Sequence, residues 1–174
     1  HEQLPAWKRV IDNPAYTKFW RLQALQEILA APQVKLKVPV LMVHGLFDQE
    51  DIYGPVAAYE ALEAKDRGNN RNHIVLGPWY HGQSTGDGSQ FGPIKWGADT
   101  ARYFRNDVLL PFWDEHLKRI APAKPTPPVL AFDTGLRKWE HHKAWPPKSA
   151  NVTKLYLQEA GGRAFTPPQP NIRK

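Results

Sequence analysis

Four residues in this chain have the types and spacing for acid–base chemistry. Asp48, Glu50 and Asp51 fall within four positions, and His81 follows Asp48 by 33 residues. A carboxylate beside an imidazole fixes one ring tautomer and stabilises the imidazolium formed when the ring takes a proton, as the acid and base of a serine-histidine-aspartate relay do. Each partner sits just past a short apolar run closed by glycine: Asp48 is three residues after Gly45, and His81 is four after Gly77. Such runs read as strands. Parallel strands hand their following loops to one edge of the sheet, the carboxyl edge, where open α/β folds place their sites. Neighbouring strands lie about 4.8 Å apart, so the two side chains would be within reach of each other. Spacing alone leaves a second reading open, a capping aspartate and a loop histidine.

The neighbouring acids pose a related question. Three carboxylates so close together repel one another, and the cluster is easier to explain if it meets a cation. The competing and simpler reading on sequence alone is that Glu50 and Asp51 complement the amino end of a helix starting near Gly54.

The elements that must position these residues are legible from apolar periodicity. Lys37–Gly45 reads as a strand buried on both faces, with Pro39 near its start. Gly54-Pro55 opens a helix of good helix formers that runs to Ala64 and stops in the charged turn Lys65-Asp66-Arg67-Gly68. Asn72–Gly77 reads as a second strand. Strand, helix and strand at these lengths make a βαβ unit with parallel strands, which places the fold in the α/β class. Ahead of this unit, residues 14–30 carry Phe19, Trp20, Leu22, Leu25, Ile28 and Leu29 at helical spacing, predicting one amphipathic helix. After it come a glycine-rich loop over 82–97 and a helix over about 99–117 that Pro111 should kink. Val129–Phe132 and Val152–Leu157 look like strands of a separate β-domain beginning near Pro127.

The totals bound the function. A chain of 174 residues with seven Trp, six Tyr and seven Phe has material for a real core. The net charge of +6 is spread among interspersed acids, so no nucleic-acid partner is expected. With no cysteine there is no disulfide, thiolate metal site or thiol nucleophile. No apolar run approaches the roughly 20 residues that span a bilayer, and His1–Pro5 does not resemble an export signal. Other candidates rank lower. His44 closes a buried strand and reads as a core histidine, and His73 precedes its strand and so belongs to the wrong edge. His141 and His142, adjacent on an extended segment, point to opposite faces and read as surface residues. Trp79, Trp139 and Trp145 read as packing, with Trp79 also a substrate-binding candidate from its place beside His81.

At these residues the sequence resembles the hydrolases related to cocaine esterase and X-prolyl dipeptidyl peptidase, and within them the α-amino-acid ester hydrolases. The resemblance is carried by Val38-Pro39-Val40-Leu41 leading to Gly45-Leu46-Phe47-Asp48, by Gly77-Pro78-Trp79-Tyr80-His81-Gly82, by Asp114–Leu117 and by Trp139 to Trp145-Pro146. It implies that Asp48 is the triad acid and His81 the general base, and that Glu50 and Asp51 help bind a substrate's α-ammonium group. It implies an α/β-hydrolase domain interrupted by a helical cap and followed by a jelly roll. Residues 1–31 would end the cap, 32–121 would be the carboxyl-terminal part of the α/β domain, and 122–174 would begin the jelly roll. The family's nucleophile is a serine in a Gly-x-Ser-Tyr-x-Gly turn. Ser84, Ser89 and Ser149 have no such setting, so the remainder of a longer enzyme chain is expected to supply it.

The expected activity is hydrolysis or transfer of α-amino acyl groups, from esters or β-lactam antibiotic side chains, through an acyl-enzyme with no metal or organic cofactor. A small-molecule ester or amide is the expected partner, with room for a homo-oligomer, and the family implies a periplasmic or secreted setting. A plain carboxylesterase or glutaryl-type acylase is the alternative within the class, and a non-catalytic interaction module the alternative outside it.

Overall fold

A computed structural model of the chain describes residues 4–169. Three short helices come first, α1 (Pro5–Ile11), α2 (Lys18–Arg21) and α3 (Leu25–Ala30). The single helix expected over 14–30 is therefore broken. The chain leaves helical geometry after Leu22, and Ala24 is extended with ψ 110°.

The βαβ unit forms as the apolar pattern requires. Strand β1 (Val40–Gly45) is followed by α4 (Gly54–Glu63) and by β2 (Asn72–Gly77), and the two strands are parallel. The one-turn helix Gln83–Thr85 then leads to the small hairpin β3 (Gln90–Phe91) and β4 (Ile94–Lys95). Next comes a continuous helical stretch made of α5 (Thr100–Tyr103), a π-helical segment over Phe104–Leu109 and α6 (Leu110–Lys118). Pro111 lies in the first turn of α6, immediately after the π segment. In an unbroken α ladder its ring would meet the carbonyl four residues back, and the wider π turn takes up that conflict.

Beyond α6 the chain departs most from expectation. Val129–Phe132, expected to open a separate β-domain, lies in β5 (Val129–Asp133), the third strand of the same sheet. It pairs parallel with β2, Ile74 opposite Val129 and Leu76 opposite Ala131. An uninterrupted apolar run is what a strand covered on both faces requires, and Val129 to Phe132 are all buried. Strand β6 (Lys138–His142) returns antiparallel to β5, which completes a four-stranded sheet of order β1-β2-β5-β6. Asp133 Oδ1 organises the turn between them by accepting from the backbone N–H groups of Gly135 and Leu136. Of the strand expected over 152–157, only β7 (Tyr156–Leu157) forms, pairing antiparallel with β8 (Arg163–Ala164).

Alternation along β2 builds a core on each face of the sheet. Val75 packs on one side with Trp79, Phe104, Val108 and Leu130. Ile74 and Leu76 pack on the other with Tyr59, Val129 and Ala131. Each fully buried aliphatic side chain contributes about 1.5–3 kcal/mol. Strand β1 differs from expectation, since Val40 to Val43 are only half-buried. The reason is position: β1 is the edge strand, with β2 its single neighbour among the described residues.

Candidate active site

Strands β1 and β2 end flush, with Gly45 opposite Gly77. Both glycines are required by space. A Cβ on Gly45 would lie 2.5 Å from the Trp79 carbonyl oxygen, and one on Gly77 would lie 2.3 Å from the Trp79 ring. With no side chain there, the two exiting loops bond to each other: Leu46 N–H donates to Gly77 O at 2.8 Å and Phe47 N–H to Trp79 O at 3.0 Å. The loops thus leave the carboxyl edge in contact.

Asp48 and His81 meet at their tips. His81 Nδ1 lies 3.0 Å from Asp48 Oδ2, a hydrogen bond in which a ring N–H donates to the carboxylate. The other oxygen of Asp48 is also engaged, accepting from the backbone N–H groups of Glu50 at 2.8 Å and Asp51 at 3.1 Å. Asp48 is 7 % exposed, whereas the His81 side chain is 48 % exposed. A buried, fully bonded acid therefore holds a ring whose far nitrogen, Nε2, has no hydrogen bond among the described residues. That ring can take a proton from an incoming hydroxyl.

The electrostatics follow from the same contacts. Desolvation, the largest single effect on Asp48, raises its pKa, but the N–H groups of Asp51 and Glu50 together with His81 outweigh it and hold the carboxyl below its usual range. The hydrogen bond to Asp48 raises the His81 pKa most, the charges of Glu50, Asp48 and Asp51 add to it, and desolvation opposes them. His44, on β1 beside the pair, is buried, and its desolvation lowers its pKa against the pull of Asp48 and Asp51.

A cleft of about 260 Å³ opens at this point, bordered by His44, Asp48, Asp51, Pro55, Tyr80 and His81. Asp51 turns a carboxylate oxygen to within 3.7 Å of His81 Nδ1. Glu50 is exposed and is not among the residues lining the cleft, so its reach to the site is through its charge. Neither acid caps α4, whose N-cap is Tyr53 with no side-chain cap bond. One ligand atom each from Asp48, Asp51 and His81 would also fall within 4.8 Å of the others, the spacing of a cation site. A ring N–H donated to Asp48 and a metal bound at Nδ1 are mutually exclusive uses of the same nitrogen.

Trp79 requires a correction. It is 1 % exposed, its indole N–H donates to Thr100 Oγ1 at 2.9 Å, and its ring packs on Phe104 and Trp139. Trp79 borders the inner wall of the cleft, but its side chain is packed as a core residue under the His81 loop. His73 lies at the amino edge, with Nδ1 2.9 Å from the Pro127 carbonyl oxygen. It borders a larger hollow of about 710 Å³ lined mainly by prolines, asparagines and exposed polar residues, away from the acid–base pair. His142 lies 3.6 Å from Glu140, and His141 is exposed. Sequence reasoning did not single out Gln83, a buried amide bonded around the His81 turn, because its partners are backbone atoms that carry no residue signature.

The family described as X-Pro dipeptidyl-peptidase (S15 family) matches residues 1–83, the stretch that contains both site residues. A solved structure described as an α-amino acid ester hydrolase labelled with selenomethionine is 43% identical over 98% of this chain, with a TM-score of 0.87. A second structure of similar fold, an aminopeptidase from a marine sediment archaeon (Thaumarchaeota archaeon), is 43% identical over 95% of the chain, with a TM-score of 0.85. The chain spans 28% and 26% of the lengths of those two proteins. Among curated proteins, none matches it.

Proposed function

We propose that this chain carries the acid and base of a serine hydrolase that acts on α-amino acyl substrates. The observation that supports this most directly is the 3.0 Å contact between Asp48 and His81 at the carboxyl edge of the parallel pair. In this reading a serine from a strand-to-helix turn elsewhere in the complete protein attacks the acyl carbon, and His81 Nε2 takes its proton. Asp48 keeps Nδ1 protonated and stabilises the imidazolium. His81 then returns the proton to the leaving group, and water attacks the acyl-enzyme by the same relay.

The α-amino preference rests on Asp51, at the rim of the cleft, and on Glu50 close by in the same loop, neither of which caps the following helix. An ammonium group between them would gain charge-assisted hydrogen bonds. Both similar structures are described by activities on substrates of this kind, an amino acid ester in one and an aminopeptidase substrate in the other. The second favours an amide leaving group as a further reading of the same site. The family resemblance adds three readings: residues 1–31 as the end of a helical cap, residues 122–174 as the start of a jelly roll, of which only the part after β6 lies outside the main sheet, and a periplasmic or secreted setting.

The test uses the complete reading frame with Glu50→Gln and Asp51→Asn combined. We expect kcat/KM for an α-amino ester to fall by on the order of ten- to a hundredfold, with the matched des-amino ester changed much less. Equal losses for both esters would favour the plain carboxylesterase.

A further inference from the structure

The relay depends on holding His81 against Asp48, yet His81 sits on a turn whose next residue, Gly82, has φ 76° and no side chain to fix it. What closes this turn is Gln83, which is 5 % exposed. Its backbone N–H donates to Tyr80 O at 3.0 Å, and its side-chain Oε1 accepts from Tyr80 N–H at 3.2 Å. The same side chain reaches outward, Nε2 donating to the carbonyls of Asp87 and Gln90, each at 2.9 Å. One amide thus ties the residue before His81 to the first strand of the β3–β4 hairpin. The hairpin also holds the other half of the pair, because the Phe91 ring stacks on Phe47 at 4.2 Å and 14°, and Phe47 immediately precedes Asp48.

We propose that Gln83 is a positioning residue for His81: its buried amide locks the His81 turn to the hairpin that also braces the Asp48 loop, and so sets the distance between acid and base. The proposal rests on the serine hydrolase reading for its kinetic consequence, but not for its geometric one. Replacing the amide by an apolar side chain of similar length strands one N–H and two carbonyls and frees the turn at Gly82. Loss of placement by even about 1 Å in a relay can lower the rate a hundredfold.

The experiment compares Gln83→Met with Val129→Ala, a core truncation in β5, in the complete protein, reading kcat, KM, thermal stability and the NMR titration of His81. We expect Q83M to lower kcat on an α-amino ester at least tenfold with KM within twofold, and to move the His81 midpoint down towards 6.5 as the Asp48 contact loosens. V129A should lose comparable thermal stability and leave both readouts alone. Should Q83M fail to fold, Gln83→Asn carries the same test, being one methylene too short to span Tyr80 and the hairpin together. Wild-type kcat and titration in the Gln83 variant, or the same changes in V129A, would overturn the proposal. If the wild-type protein turns over no ester, the hydrolase reading fails, and the titration still decides this one: a lowered midpoint upholds it and an unmoved one overturns it.

Discussion

His81 stands between one buried carboxylate and two exposed ones, and its charge state follows from them. Its pKa is raised above 6.5, first through the Asp48 hydrogen bond and then through the charge of Glu50. The NMR midpoint of His81 should therefore lie above 6.5, and Asp48→Asn should bring it down; an unchanged midpoint would break the assignment. Because the folded-state value is raised, the stability this histidine contributes is fully present below 6.5 and is lost as pH rises through the folded value. Asp48 has the opposite sign: its depressed pKa gives stability that is present above 3.8 and lost as pH falls through the folded value. Activity by a neutral base runs against the histidine's stability term, so kcat/KM should climb with pH through a midpoint above 6.5 while the pair's stabilising contribution fades. Asp48 and His81 were readable from sequence because strand ends and their following loops obey a positional rule. Trp79 was not, since its burial is decided by Thr100 and Trp139, which only the fold brings to it.

Elements are held here by a few close approaches. Gly77 admits the Trp79 ring into a space that a Cβ would fill, and the ring is anchored by Thr100. Gly77→Ala should cost about 1–3 kcal/mol of unfolding free energy by denaturant titration, and a neutral result would show that the ring can move. Lys65 joins the first helices to the α/β layer by donating to the carbonyls of Leu29, Ala31 and Val34 at the end of α3. Lys65→Met should speed hydrogen exchange of the α3 amides by about tenfold while leaving β2 protected. The βαβ unit was legible because its apolar runs and helix stop signals agree. The place of β5 in this sheet is hidden in the sequence because the prolines before it look like a linker, although they connect α6 to the sheet. The break after Leu22 is likewise silent in the periodicity, which continues through it.

For the molecule as a whole, none of the three serines has the setting of a nucleophile turn, although Ser84 borders the cleft beside His81. Ser84 sits in the one-turn helix after His81, Ser89 in the loop before β3, and Ser149 in the segment after β6, none on a strand-to-helix turn. Purified residues 1–174 should therefore not hydrolyse an activated α-amino ester, and turnover abolished by a serine-reactive phosphonate would contradict this. The resemblance to known hydrolases was visible in the two strand-end motifs, whereas the extent of the sheet became clear only from pairing. The flush parallel register of β1 and β2 has a consequence for inheritance. Acid, base, the glycines between them and the bracing hairpin form one contiguous cassette, residues 40–96. Recombination between homologous genes with breakpoints outside this stretch should pass the relay on intact, with its spacing already set. A crossover between positions 48 and 81 would instead join the acid of one parent to the histidine of another, so viable chimaeras should be depleted of breakpoints there.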